Sequence, residues 1–318
     1  MKEIRAFLET VKIARKQSHR NLTVFPLLAP GNGEPDYLTL QEAIGQGLVE
    51  VREAGRSGVV LELLLINRGR RKTLVVEGEE LVGAKQDRTV NASFLIPGDT
   101  RINLPVSCVE HGRWSRRNSG FMTSDRVMHA SLRGESQRFV SQNLAAGKGF
   151  RSDQRRIWND IGGKARRLRS DAPTGAMADV YESARERMEG YLPDFHLVEC
   201  QVGAIFAING EIACMDFFGW ADTFERFFQK LVGSHVLDAV DRTGEEGSRK
   251  GVPPDKARRF LESVTWCDFQ SLPSIGVGKS LRLDSPSLSG AALAIEGKLL
   301  HLSAFKKPKG SESRMDLL

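Results

Sequence analysis

Two sixteen-residue segments constrain this chain most. Gly203–Phe218 reads as two apolar strands joined at Asn209-Gly210, the dipeptide that best favours the tight turn of a β-hairpin. Gly290–Phe305 aligns to it without gaps, identical at six of sixteen positions, with Glu296-Gly297 at the turn. Read as an internal repeat, the alignment makes Asp216 equivalent to Ser303 and Cys214 to His301. Read as chance, it reflects only the simple composition of hairpins. In either reading the C-terminal part folds around antiparallel strands.

The earlier chain is also β-rich. Residues 1–20 read as an amphipathic helix or arm, and Thr23–Leu28 as a strand. Leu38–Gly47 reads as a short helix, with Thr39 as N-cap and Glu42 completing a capping box. Val51–Val109 reads as a meander, with strands at Val59–Asn67, Thr73–Val76, Arg88–Ile96 and Thr100–Val106, turning at Asn67–Arg70 and Pro97-Gly98-Asp99. Gly120–Gly134 has no clear period and is expected to be a loop. The period is helical at Ser136–Ala146, Asp153–Leu168 and Ala176–Tyr191. Further helices are expected from Asp222, as a cap, to about Ala239, and over Pro253–Ser263. The expectation is one α+β domain over residues 1–305. It is β-rich over 20–114, helical over 135–191 and mixed over 197–305, with a disordered tail at 306–318.

Composition bounds the class. Forty per cent hydrophobic and 27% charged residues suit a soluble globular protein. Four cysteines without CxxC spacing fit a reducing compartment, and no stretch reads as a signal peptide or approaches the roughly eighteen apolar residues of a membrane span. The expected location is the cytoplasm, away from membranes. A net charge of +6 suits an anionic partner without selecting one. Arg151, Arg155, Arg156, Lys164, Arg166, Arg167 and Arg169 crowd one stretch. They read as a solvated helix face or, less well for want of interleaved aromatics, as an RNA contact.

The chemistry concentrates in two segments. Glu77–Arg88 holds Glu77, Glu79 and Glu80 beside Lys85, Gln86 and Arg88. Pro105–Trp114 puts Cys108, Glu110, His111, Arg113 and Trp114 at a strand end. Each is a polar site or a solvated turn. Together at the ends of one meander, they are expected to converge on one polar cleft. Cys108 and His111 are three apart on a strand end, so they point to opposite faces and do not make a nucleophile–base pair. Asp216 ends an apolar strand before Gly219. It reads as a cap for the following turn or as a functional carboxylate at a rim. His301, between Leu300 and Leu302, reads as a satisfied core residue. Gly276-Val277-Gly278-Lys279-Ser280 fails as a phosphate loop, because Pro273 stands where the pattern needs Gly and a strand-like run follows. No His/Cys metal-ligand spacing, HExxH or GxSxG motif is present, and the sequence names no cofactor.

Several of these residues also carry a resemblance. Gly78–Arg88 and Leu104–Trp114 resemble the signature of the ARG- and rhodanese-phosphatase-associated protein family. Gln154, Trp158, Ser170, Thr174, Asp179, Met215–Gly219 and His301–Phe305 resemble its later landmarks. The similarity spans roughly residues 20–305, and the family pattern has Asn where this chain has Asp87. The resemblance implies a link to NAD or ADP-ribose metabolism through gene association. The expectation is a domain that binds, or hydrolyses, a small phosphorylated ADP-ribose-type ligand. Glu79, Glu80 and Asp216 would supply carboxylate chemistry. Lys85, Arg88 and Arg113 would meet phosphates, Gln86, Asn91 and Glu110 would orient the ligand, and Trp114 would stack on it. The alternative is a non-enzymatic protein-binding or RNA-binding component.

Overall fold

The computed structural model describes residues 2–31, 33–55, 61–113, 120–244 and 251–307. The chain opens with helix α1 (Lys2–Glu9) and strands β1 (Lys12–Ile13), β2 (Gln17–His19) and β3 (Leu22–Leu28). β4 (Tyr37–Thr39) leads into α2 (Leu40–Gly45), where Thr39 and Glu42 form the expected capping box. Strands β5 (Val49–Glu53), β6 (Glu62–Asn67), β7 (Lys72–Val75), β8 (Glu79–Gly83), β9 (Arg88–Val90), β10 (Phe94–Ile96), β11 (Thr100–Cys108) and β12 (Phe121–Val127) follow.

The meander curls further than its sequence shows. Six strands close into a barrel in the order β11-β6-β5-β12-β8-β9, while β10, β7 and β4 form a separate small sheet. Closure leaves no open sheet edge on the barrel. The strand expected over Arg88–Ile96 is therefore two. β9 pairs inside the barrel, and β10 pairs with β7. The polar residues between them allow the switch. Asn91 donates to Phe150 O at 3.0 Å and accepts from Ser107 Oγ at 2.7 Å.

The expected loop at Gly120–Gly134 is a correction. Phe121–Val127 is β12, paired with β8, and α3 (Ala130–Ala145) begins at Ala130. Only the ends of β12, Phe121 and Val127, are buried, so its sequence shows no alternation. Residues Val59, Val60 and Trp114 and those beyond Lys307 lie outside the described residues.

Helices α4 (Gln154–Leu168) and α5 (Met177–Glu189) precede the hairpin β13 (Gln201–Ile208) and β14 (Glu211–Phe218). Its turn takes φ of 51° at Asn209 and 79° at Gly210, the left-handed pair an Asn-Gly turn supplies. Next come α6 (Ala221–Asp241), α7 (Pro254–Thr265), β15 (Phe269–Pro273), β16 (Lys279–Asp284), β17 (Leu288–Ile295) and β18 (Lys298–Lys306). Trp220, not Asp222, is the N-cap of α6, and Asp222 sits in its first turn. Lys279–Asp284 is a strand, as the failed phosphate-loop pattern implied.

These strands build one nine-stranded sheet, β1-β3-β13-β14-β18-β17-β16-β15, with β2 beside β3. One face packs on α1 and α7 through Phe25, Met215, Phe217 and Phe260. The other packs on helices α3 to α6 through Phe206, Phe218, Phe224 and Leu293. Asp216, Ser303 and Arg282 also lie on this second face.

Candidate functional site

The two signature segments meet at one end of the barrel, in a buried ion network rather than an open cleft. Arg113 is its hub. Its Nε donates to Glu110 Oε1 and Oε2 at 2.8 and 2.9 Å, its Nη2 to Asp87 Oδ1 at 3.0 Å and its Nη1 to Ala84 O at 2.9 Å. Gln86 Nε2 donates to Glu110 O at 2.8 Å, and Arg88 Nη1 to Gln86 Oε1 at 3.2 Å. Thr174 Oγ1 donates to Glu110 from the other side, at 3.2 Å. The structure thus brings together Gln86, Arg88, Glu110 and Arg113, all buried.

The remaining signature residues go elsewhere. Glu80 accepts from Ser124 Oγ at 2.8 Å and Arg126 Nε at 3.1 Å. Glu79 accepts the Val76 N–H at 2.7 Å, and burial raises its carboxyl to about 7. Asn91 bonds to Phe150 and Ser107, as described above, and Lys85 is half-buried. Cys108 donates to Glu110 O at 3.0 Å, and burial pushes its thiol up.

A second polar centre lies where α3 crosses the large sheet. Arg282, Ala291, Ser303 and Asp216 are successive register partners across β16, β17, β18 and β14, so they share one face. α3 lowers Arg133 and Gln137 onto this row from consecutive turns. Arg133 holds both oxygens of Asp216, each at 2.7 Å. Gln137 Nε2 donates to Ser303 Oγ at 2.6 Å and to Glu77 Oε1 at 3.0 Å, and Ser303 Oγ donates to Glu77. Asp216 is therefore a buried ion-pair partner, 0% exposed, not a carboxylate at a rim. Burial pushes its carboxyl up, but Arg133 and His235 outweigh this and hold it well below the usual range. His301 is a buried core residue hydrogen-bonded to Ser93 at 2.9 Å.

Cys214, Asp216 and His235 bring three potential metal-ligand atoms within 4.8 Å of one another. The guanidinium of Arg133 takes both carboxylate oxygens and lies 3.9 Å from Cys214 Sγ. A divalent ion here would sit against a fixed positive charge, so the donor set does not fit a metal.

Beside this centre, and sharing Cys214 with it, lies a cleft of about 710 Å³. Ser131, Gly134, Glu135 and Arg138 of α3 line it, opposite Glu211–Cys214, Phe305, Lys306 and Lys307 of the sheet. Gly134 lets helix and sheet close up, since a Cβ there would lie 2.7 Å from the Phe305 ring. Asp160 and Asp238 complete the helical wall. Lys164 Nζ holds Asp238 from behind at 2.6 Å, and Ser131 Oγ donates to it at 2.9 Å.

The matching family model is that of the ARG and Rhodanese-Phosphatase-superfamily-associated Protein domain, over residues 10–305. The chain belongs to that family. No curated protein and no solved structure matches it significantly. The family match covers both signature segments, the buried centre and almost all of the cleft's lining.

Sequence reasoning missed Arg133, His129 and Ser131 because the loop expectation hid the start of α3. It missed Asp238 and His235 because α6 looked like an ordinary amphipathic helix. The sequence groups Lys164 with its basic neighbours on a solvated face, yet it alone among the seven is buried. Its place in line with Ile157, Ile161 and Leu168, the apolar stripe of α4, was the available signal.

Proposed function

We propose that the cleft beside α3 binds a small phosphorylated ligand of the ADP-ribose type. The supporting observation is a volume suited to a nucleotide-sized molecule, lined by four cations, Arg138, Arg242, Lys306 and Lys307, and four carboxylates. Three of the four lining carboxylates are held by cations from outside the lining: Asp238 by Lys164, Glu135 by Arg156 and Glu211 by Lys256. Arg138 and Lys306 are then left with shared or exposed partners, which a phosphate displaces at little cost, and Lys307 pairs with the half-exposed Asp284. The family's association by name with ARG proteins motivates the ADP-ribose class.

Titration calorimetry with ADP-ribose tests this reading. Binding that weakens at least tenfold in Lys306→Glu/Lys307→Glu supports it, and binding unchanged in that variant removes the cleft from consideration. Chromatography of the same mixture reports whether the ligand is hydrolysed.

A second reading seats the ligand on the signature segments, with Lys85, Gln86, Arg88, Asn91, Glu110 and Arg113 as contacts and Glu79 or Glu80 as the catalytic carboxylate. Arg88 favours it, because its Nε and Nη2 are buried without a protein acceptor. Under this reading Arg88→Met abolishes ADP-ribose binding while the lysine variant retains it. An RNA-binding role for the exposed arginines of α4 predicts instead a steep salt dependence with single-stranded RNA and no ADP-ribose heat.

A further inference from the structure

Both walls of the cleft carry mixed charge. The helical wall holds the Glu135–Arg138 pair, Asp160, Asp238 and, past the end of α6, Arg242, while the sheet side holds Lys306 and Lys307 with Glu211. The two aspartates are not equivalent. Asp238 is saturated: Ser131 N and Oγ, Lys164 Nζ and, at 3.4 Å, His129 Nδ1 surround its oxygens. Asp160 is open. Its side chain is 27% exposed, and its Oδ1 lies 3.3 Å from His129 Nε2. Neither of those two atoms makes a well-aligned hydrogen bond, although both are buried. His129 is 1% exposed, so its ring is fixed behind Asp160. Burial pushes the Asp160 carboxyl up, but His129 outweighs it and holds it below the usual value, so the group is an ionised acceptor at neutral pH.

An ionised carboxylate repels phosphate and accepts hydroxyl hydrogens. The lysines do the opposite: they carry charge for phosphate. Lys306 and its partner Glu211 are both solvent-accessible, so that pair is readily exchanged, while Lys307, 9% exposed, pairs with the half-exposed Asp284. We infer that the cleft takes a phosphorylated sugar in one orientation, with sugar hydroxyls on Asp160 and phosphate on Lys306 and Lys307. This deepens, and rests on, the reading of the cleft as a site for a phosphorylated ligand.

Calorimetry with ribose 5-phosphate and methyl phosphate on the full chain separates the two claims. The wild type should bind ribose 5-phosphate about tenfold more tightly than methyl phosphate, as one or two hydrogen bonds to a charged acceptor provide. Asp160→Asn should erase that difference without weakening methyl phosphate. Lys307→Gln should weaken both ligands by the same factor. A sugar preference that survives in Asp160→Asn overturns the orientation, and so does a wild type that binds both ligands equally. If the wild type binds neither ligand nor ADP-ribose, the reading of the cleft itself falls, and the orientation with it. Crystals soaked with ribose 5-phosphate give the answer without a variant: phosphate density beside Lys307 is expected, and phosphate density beside Asp160 overturns the inference.

Discussion

Asp216 and Ser303 face each other across the β14–β18 ladder and hold the same position in two matching hairpins. The match extends to irregularities. The β13–β14 register slips between Phe206 and Ala207, and the β17–β18 register between Leu293 and Ala294, the aligned residues. The turns match as well, with φ of 51° and 79° at Asn209 and Gly210 and of 49° and 78° at Glu296 and Gly297. A pseudo-two-fold axis between Asp216 and Ser303 relates the hairpins. Shared bulges are not required by hairpin composition, so they weigh for a repeat over chance. At the axis the copies differ in chemistry: one offers Asp216 to Arg133 and the other offers Ser303 to Gln137 and Glu77.

The aligned glycines provide the first prediction. A Cβ on Gly203 would lie 2.5 Å from Asp216 O, and one on Gly290 would lie 2.8 Å from Ser303 O. Gly203→Ala and Gly290→Ala should each destabilise by about 1–3 kcal/mol in urea unfolding, because a paired backbone must shift. Equal losses are expected from the equivalence, and one silent glycine would count against it.

The Arg133–Asp216 pair should dominate the buried centre. Arg133→Met leaves a buried carboxylate, and Asp216→Asn leaves a buried guanidinium, so each should cost about 3–5 kcal/mol. The double variant should lose less than the sum of the two. A loss below about 1 kcal/mol for Asp216→Asn would show that the pair is not a structural element.

Arg282 should behave in the opposite way. Its guanidinium is 4% exposed, and none of its three nitrogens has a hydrogen-bond acceptor. Burial lowers its ionisation to about 10, with Glu77 opposing that shift. Its other contact is the Phe150 ring, 5.7 Å away. Arg282→Met keeps the volume and removes the desolvated charge, so the urea midpoint should stay level or rise. A loss like that of Arg133→Met would mean that Arg282 has partners of its own.

Local signals carried much of this fold. The capping box at Thr39, the Asn-Gly turn and the helical period of α4 and α5 depend on neighbours in sequence, so they were legible. Barrel closure and the switch of β9 to β10 depend on partners far along the chain, such as Val106 for Val90 and Leu74 for Leu95, which a local pattern does not record. The charged signature segments were legible as polar clusters. Their meeting through Arg113, Glu110 and Asp87 was expected from the meander, but their burial was not, because composition alone does not separate a satisfied network from a solvated one. The cleft was not legible: its walls come from α3, α4, α6, β13, β14, β17 and β18, which the sequence separates widely.

Arg113 should not tolerate lysine. It spans Glu110, Asp87 and Ala84 O with three nitrogens in one plane, a geometry that a single ammonium does not reproduce. Arg113→Lys is expected to lose about 2 kcal/mol or more, and Arg113→Met about 3–5, by chemical denaturation. A lysine variant as stable as the wild type would show that charge alone, without the fork, holds the barrel end together.

Glu79 sets a pH dependence whose sign can be worked out. Its carboxyl is raised from 4.5 to about 7 by burial, against Lys230 and the Val76 N–H. Between those values the folded protein keeps a proton that the unfolded chain has released. Unfolding then releases a proton, and the Glu79 contribution to stability falls as pH rises across that window. The full change corresponds to about 3 kcal/mol, at 1.36 kcal/mol per pH unit. Other buried groups overlap it: Glu77 and Glu80 act in the same direction, and Asp216 and Asp238 in the opposite one at lower pH. The difference between Glu79→Gln and wild type isolates it. Urea unfolding at half-unit steps from pH 4.5 to 8 should show the variant gaining on the wild type as pH rises, then levelling above 7. A constant offset from the amide nitrogen at the Oε1 position, which lacks a partner, leaves the slope untouched. A difference that is flat with pH would mean that Glu79 stays ionised in the folded protein, with solvent reaching it from the end of β8.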